Sequence, residues 1–305
     1  MDEEERGGSA PLMSSELLGF PTGARVLIVN CDDFGMDEDV NAAVIDSIER
    51  GIGSSCSLMV PCPAAQHAMG LLRRRPEIPF GVHLTLVCET PALSRAPSAP
   101  RRLVPSLLDA AGRLFEPTPA GRAELLARAR IEEVEVEFRA QIDTVADAGL
   151  APTHLDFHCL ADGGRADILD LTVALAAEYG LAVRVWLEPG LRSMRRRSLP
   201  VVDHAFLDSF SLDLDGKQDR YARLLRELPA GLSEWAVHPS LGGARSRATD
   251  GGWRVRRSDY EFLVSEDARE LVRQEGVVVT DYRAVQRVWR GQAGGVTGWG
   301  GARRR

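Results

Sequence analysis

At 305 residues, with 44% hydrophobic and 27% charged side chains, the chain has the size for one large α/β domain or two small ones and the composition of a globular protein. A formal net charge of -7 argues against a general nucleic-acid or membrane-surface binder, and the arginine-bearing stretches 192–197 and 303–305 read as solvated. The five cysteines are odd in number and contain no CxxC pair, which argues against a disulfide framework and for a reducing compartment. The acidic start MDEEERGG lacks the order of a signal peptide, and no apolar run reaches membrane-spanning length, so a cytoplasmic protein is expected.

In chain order, residues 1–24 carry Gly, Ser and Pro with little pattern and read as a flexible arm. A buried strand at 25–30 runs into Asp32 and Asp33, and residues 39–50 place Val40, Val44, Ile45 and Ile48 on one helical face before Gly51. A strand at 54–60, a helix at 63–75 and a strand at 80–86 carrying His83 follow. The Pro-rich stretch 88–119 reads as a long functional or disordered loop, and 120–148 as one long helix ended by Gly149. A strand at 153–157 delivers His158, a helix spans 166–179 with Gly180 as its cap, and a strand covers 182–186. Residues 192–200 read as a basic loop and 217–228 as a helix, while 201–215 is ambiguous. A strand at 233–237 leads to His238, and Ser265 is a candidate internal N-cap within 260–274. A strand at 277–280, a helix at 282–290 and a Gly/Arg-rich tail at 291–305 complete the chain. This alternation predicts one α/β domain over 25–290 with mainly parallel strands.

Asp32, Asp33, His83, His158 and His238 all fall at or near the ends of strands. In parallel α/β folds the carboxyl ends of strands share one face, so these residues are expected to meet. An Asp with two His suits a divalent metal, and a second Asp is then free as a base. Each residue also has a plainer reading. Asp32 or Asp33 opens the next helix as its N-cap, His83 is a hydrogen-bonded strand residue, and His238 before Pro239 fixes a turn. His154 and Asp156 alternate with His158 and are able to share its face, with His154 deeper and structural. His67 and His204 read as surface or helix residues.

The segments Asn30-Cys-Asp-Asp-Phe-Gly35, Ser57-Leu-Met59, Gly81-Val-His-Leu-Thr-Leu86, Pro152-Thr-His-Leu-Asp-Phe-His158 and His238-Pro239 together resemble the YdjC-like carbohydrate deacetylases (the ChbG/HpnK family). The resemblance covers roughly residues 26–290. It implies a distorted (β/α) barrel, single-domain, that removes acetyl groups from N-acetylated amino sugars with one divalent metal ion. By motif, Asp33, His83 and His158 are the metal ligands, Asp32 the base acting on a metal-bound water, and His238 the group that stabilises the oxyanion or protonates the leaving amine. Arg184 and His154 are carried over as substrate-side residues, with Arg184 alternatively orienting Asp32. An Asp/His/His set favours Zn, Co, Mn or Fe(II) on ligand type, and the family resemblance adds Mg. A homodimer is a family-level expectation.

The chain departs from the family's run of further histidines after His158, since Leu160 and Asp162 stand there. That bears on the sugar more than on the hydrolysis. A metal-dependent amidohydrolase acting on a non-chitin acylated small molecule uses the same residues with a different pocket. A non-catalytic sugar- or metal-binding protein leaves Asp32 without a role, and a phosphoryl-transfer enzyme with an Asp nucleophile calls for an Asp-x-Asp spacing that this strand lacks.

Overall fold

The computed structural model describes residues 12–90, 93 and 96–293. Residues 1–11 of the expected arm and 294–305 of the expected tail lie outside the described residues. In chain order the elements are α1 (Ser14–Leu17), β1 (Arg25–Phe34), α2 (Glu38–Arg50), β2 (Ser55–Leu58), α3 (Ala65–Arg73), β3 (Phe80–Leu84), α4 (Pro119–Arg128) and α5 (Ile131–Asp147). They continue with β4 (His154–Phe157), α6 (Ala166–Tyr179), β5 (Ala182–Val183), α7 (Gly190–Arg196), β6 (Leu207–Asp208), α8 (Lys217–Arg226), β7 (Gly231–Val237), α9 (Ala244–Thr249), α10 (Trp253–Leu263), α11 (Glu266–Gln274), β8 (Val278–Thr280) and α12 (Tyr282–Ala293).

The strands pair in the order β5-β4-β3-β2-β1-β7-β6, every pairing is parallel, and β8 also joins β1. β1 is the axis of this sheet. Its Val-Leu-Ile-Val run is fully buried, as a strand covered on both faces requires. β7 pairs along one edge from Arg25 to Cys31, while the other edge is divided between β8 at Val26–Ile28 and β2 from Asn30 onward. No pairing joins β5 to β6 among the described residues, so the sheet curls into an open, distorted barrel wrapped by helices. The predicted fold class is the observed one.

Some predicted elements differ. The expected helix over 120–148 is two, α4 and α5, separated at Ala129 and Arg130, whose backbones are extended. Partners from elsewhere stabilise the break. Arg165 donates to the carbonyls of Leu126 and Ala129 at 2.7 and 2.8 Å, and the Ser106 hydroxyl accepts the Arg130 N–H at 3.0 Å. These bonds replace the intrahelical ones that a continuous helix would make. The expected basic loop at 192–200 begins as helix α7, because Leu191 and Met194 are buried on its inner face, and Leu199 is buried just beyond it. β5 is shorter than expected, although the Arg184 N–H still bonds Leu155 O at 2.9 Å. In the N-terminal stretch, Ser14 and Ser15 are buried, and their N–H groups donate to Asp203 at 2.9 and 3.3 Å. Ser265 caps α11 as predicted, accepting from Ala268 N at 3.0 Å.

Candidate active site

The site is built at the carboxyl end of β1. Between Cys31 and Phe34 the register with β2 shifts, and Asp33 takes a left-handed backbone at φ +65°. A bulge of this kind re-aims side chains, so the adjacent carboxylates part instead of stacking like charges. Neither of them caps the next helix. Asp37 does, accepting from Val40 N at 2.8 Å, which leaves Asp32 and Asp33 for other work.

Asp33 faces two imidazoles. Its Oδ1 lies 3.4 Å from His83 Nε2 and 3.2 Å from His158 Nδ1, and its Oδ2 lies 2.7 Å from Arg256. Donors bound to one cation at 2.0–2.2 Å stand about 3–3.5 Å apart, a spacing these contacts are compatible with. Potential ligand atoms of Asp33, His83 and His158 all lie within 4.8 Å of one another. Asp156 accepts from His83 Nδ1 at 2.9 Å, which turns Nε2 toward Asp33. The second nitrogen of His158, Nε2, lies 3.1 Å from Glu89 and 3.3 Å from Cys159 Sγ.

Asp32 belongs to a different set. Arg184 grips it with two bonds of 2.8 and 2.9 Å, Asn30 donates to it at 2.6 Å, and His83 Nε2 is 4.0 Å away. Arg184 also meets Asp156 at 2.9 Å and Glu234 at 2.7 Å. Burial would raise the Asp32 pKa, but Arg184 outweighs it and holds the carboxyl below its usual range. For Asp33, burial is likewise outweighed, by Arg256 and then the two imidazoles, and the result lies well below that range.

Charge accounting tests whether a cation suits the place. Among the described residues, the carboxylates Asp32, Asp33, Glu89, Asp156, Glu234 and Asp250 share only the guanidiniums of Arg184 and Arg256. The remaining demand for positive charge falls on the imidazoles. Burial alone would lower the His83 pKa, yet Asp156, then Asp33 and Asp32, push it up to about 10. His158 is pushed well up in the same way, by Cys159, Asp33 and Glu89. A divalent cation among Asp33, His83 and His158 would supply that charge in place of the protons, so the donor set fits a metal.

His154 is elsewhere. It has no exposure, bonds Thr153 Oγ1 at 2.9 Å and Ser57 Oγ at 3.2 Å, and stacks on Tyr282 at 3.7 Å. Gly81 makes room for it, since a Cβ there would stand 2.5 Å from the ring. Burial drives its pKa down to about 3, so it is a neutral packing group beneath the site and not one that lines the cavity. His67 contacts Asn41 at 3.2 Å and His204 bonds Ala230 O at 2.6 Å, both away from the site.

Asp32, His83, His158, Arg184 and His238 line one cavity of about 1000 Å³, with Trp186 and Phe206 stacked at 4.7 Å in its wall. The two departures near His158 have clear fates. Leu160 is buried at 4% exposure, and the Asp162 carboxylate accepts the N–H groups of Trp186 and Leu187 at 3.1 and 3.0 Å. Asp162 thus fixes the loop that carries Trp186.

The pattern of the YdjC-like proteins matches residues 26–274. A carbohydrate deacetylase of Brevibacillus brevis is 38% identical over 258 residues, covering 84% of this chain and 98% of that protein. The chain belongs to the YdjC-like family. A carbohydrate deacetylase of Geobacillus stearothermophilus is 32% identical and covers 85% of this YdjC-like chain and 97% of its own. A solved structure from Enterococcus faecalis, described as a cellobiose-phosphate cleavage protein, is 26% identical with a TM-score of 0.74, covering 86% of this chain and 99% of the other.

Residues that the sequence reading of this YdjC-like protein passed over are Glu89, Asp250 and Arg256. Arg256, 1% exposed, ties Asp33, Glu89 and Asp250 together. In the sequence it is one of three arginines in the WRVRR start of α10, with nothing to single it out.

Proposed function

We propose that this protein is a divalent-metal-dependent deacetylase that hydrolyses the N-acetyl group of an amino sugar or oligosaccharide. The observation that carries the reading is Asp32, a buried carboxylate 4.0 Å from His83 Nε2 whose two oxygens are both engaged by Arg184, at 2.8 and 2.9 Å. The relatives named carbohydrate deacetylases support the substrate class.

In this reading Asp33, His83 and His158 would hold the metal, which when bound would supply Lewis acidity and lower the pKa of a water. Zinc is the choice on ligand type, with magnesium the alternative that family resemblance adds. Asp32 takes the proton from the attacking water, and Arg184 fixes the direction in which its oxygens point. His238 faces the same cavity and delivers a proton to the departing amine. Trp186 and Phe206 offer an aromatic wall for a sugar ring. His154 supports the floor of the site by packing under Ser57 and is not assigned to substrate. A cavity of about 1000 Å³ is at the upper end for small ligands and accommodates more than one sugar ring.

The test is elemental analysis of the purified protein beside His158→Ala, followed by acetate release from N-acetylated mono- and oligosaccharides. About one equivalent of metal lost in the variant, together with acetate release that a chelator abolishes, supports the reading. A protein that binds neither zinc nor magnesium refutes it.

A further inference from the structure

Behind His238 lies a chain of buried polar groups. His238 Nδ1 is 2.8 Å from the Ser209 hydroxyl, and Ser209 Oγ is 2.6 Å from Asp259 Oδ2. The same Asp259 oxygen accepts the His238 backbone N–H at 2.9 Å. The other oxygen meets Tyr221 OH at 2.8 Å and Lys217 Nζ at 2.6 Å. Ser209 and Asp259 have no exposure, and Lys217 has 1%.

Counting protons fixes the direction of every bond. Lys217 Nζ is the buried counterion of Asp259 at 2.6 Å, and the carboxylate oxygens accept from every hydroxyl and N–H around them. Burial, then Asp259, raise the Tyr221 pKa well above the usual phenol value, so its hydroxyl keeps its proton and donates. Ser209 has a single hydroxyl proton, and Asp259 Oδ2 takes it. Toward His238, Ser209 therefore has only a lone pair to offer. Nδ1 must be the nitrogen that carries hydrogen in the neutral ring, and Nε2, across the ring from Ser209, is the bare one.

We propose that Ser209 and Asp259 are positioning residues that lock His238 in the Nδ1–H tautomer, so that Nε2 alone exchanges protons with the cavity. The proposal rests on the reading of His238 as the group that protonates the leaving amine. Nε2 takes a proton from solvent water in the cavity to give the imidazolium, while Nδ1–H stays bonded to Ser209. Nε2 then gives that proton to the amine nitrogen as its bond to the acyl carbon breaks, and the ring returns to its Nδ1–H form. No proton crosses Ser209.

Long-range ¹H–¹⁵N spectra of the full-length protein, labelled in its imidazoles and held in mildly alkaline buffer, read the tautomer directly. His238→Gln identifies the resonance. The expected spectrum has a protonated Nδ1 and a bare Nε2, and Ser209→Ala moves it toward the Nε2–H form that free imidazole side chains favour. In acetate release, Ser209→Ala is expected to lower kcat about 10–100-fold, the size typical of partners that orient an active-site imidazole, with KM within about twofold. Ser209→Thr, which keeps the hydroxyl, restores most of the loss. A wild-type spectrum with Nε2 protonated overturns the proposal, and so does an unchanged kcat in Ser209→Ala. The spectrum needs no turnover, so an Nδ1–H ring in a protein that releases no acetate upholds the lock and refutes the deacetylase reading alone.

Discussion

Asp32→Asn tests the proposed base apart from Asp33, His83 and His158, and its consequences follow from the contacts of one carboxylate. The side chain accepts two bonds from Arg184 and one from Asn30, at 2.8, 2.9 and 2.6 Å. Asparagine keeps the shape, but it presents an NH₂ to a guanidinium that has only donors, and it removes the negative charge. Arg184 retains Asp156 and Glu234 at 2.9 and 2.7 Å, so the guanidinium is not left alone. The cost to folding is then that of one charge-assisted bond, about 1.5–3 kcal/mol, measured by urea unfolding. The cost to turnover is that of a lost general base, about 10²–10⁴-fold, or roughly 3–5.5 kcal/mol of barrier. Metal content stays at the wild-type level, because Asp33, His83 and His158 are untouched. The assay pairs acetate release under saturating substrate with elemental analysis of the same preparation. Turnover within about threefold of wild type refutes Asp32 as the base, and metal loss in this variant refutes its separation from the donor set.

Other substitutions test neighbouring parts of the argument. His83→Ala removes a donor while leaving Asp32 and Arg184 in contact, so metal content and acetate release are expected to fall together; retained metal refutes the donor set. Arg256→Met leaves Asp33, Glu89 and Asp250 without their shared cation, and a loss of about 3–5 kcal/mol is expected in urea unfolding. Asp162→Ala frees the N–H groups of Trp186 and Leu187, so KM for an oligosaccharide is expected to rise several-fold with little change in kcat. Glu234 supplies a pH signature. Burial holds its pKa above the usual carboxylate value despite Arg184 and Tyr282. Its contribution to stability is therefore complete below the unfolded-state pKa and declines as pH rises through the folded-state pKa. Urea titrations across that window should show the stability of wild type relative to Glu234→Gln decreasing with pH, and an increase refutes the assignment.

Much of this site was legible because strand-end chemistry leaves a local mark. Asp32, Asp33, His83, His158 and His238 each follow an apolar run that forms a strand, and a parallel sheet brings such ends to one face. The fold followed from the same alternation. What the sequence concealed depends on partners far along the chain. Arg256 reaches Glu89 across 167 residues, and in the sequence it is no different from Arg254 and Arg257, which point elsewhere. The interruption between α4 and α5 comes from Arg165, outside either helix. His154 shows the limit of period-two reasoning. Alternation put it on the same side of β4 as Asp156 and His158, correctly, but alternation carries no depth, and Tyr282 covers it from below.

The bulge after Cys31 explains how two neighbouring aspartates come to have different fates. In a regular strand they would point to opposite faces, and only one would reach the site. The register shift with β2 and the left-handed Asp33 set the two carboxylates in separate company, with Asp32 lining the cavity and Asp33 among the imidazoles beside it. Asp33 sits with His83, His158 and Arg256, whereas Asp32 sits with Asn30 and Arg184. Each carboxylate has its own guanidinium, so neither has to neutralise its neighbour by sharing a proton. That division leaves Asp32 ionised and close to Asp33, His83 and His158 with its oxygens on Arg184, the arrangement the proposed base requires. The left-handed backbone at Asp33 costs about 1–3 kcal/mol for a residue with a side chain. The ion pair with Arg256 and the contacts with both imidazoles offset that cost, which ties the local geometry of β1 to an arginine on a helix more than two hundred residues away.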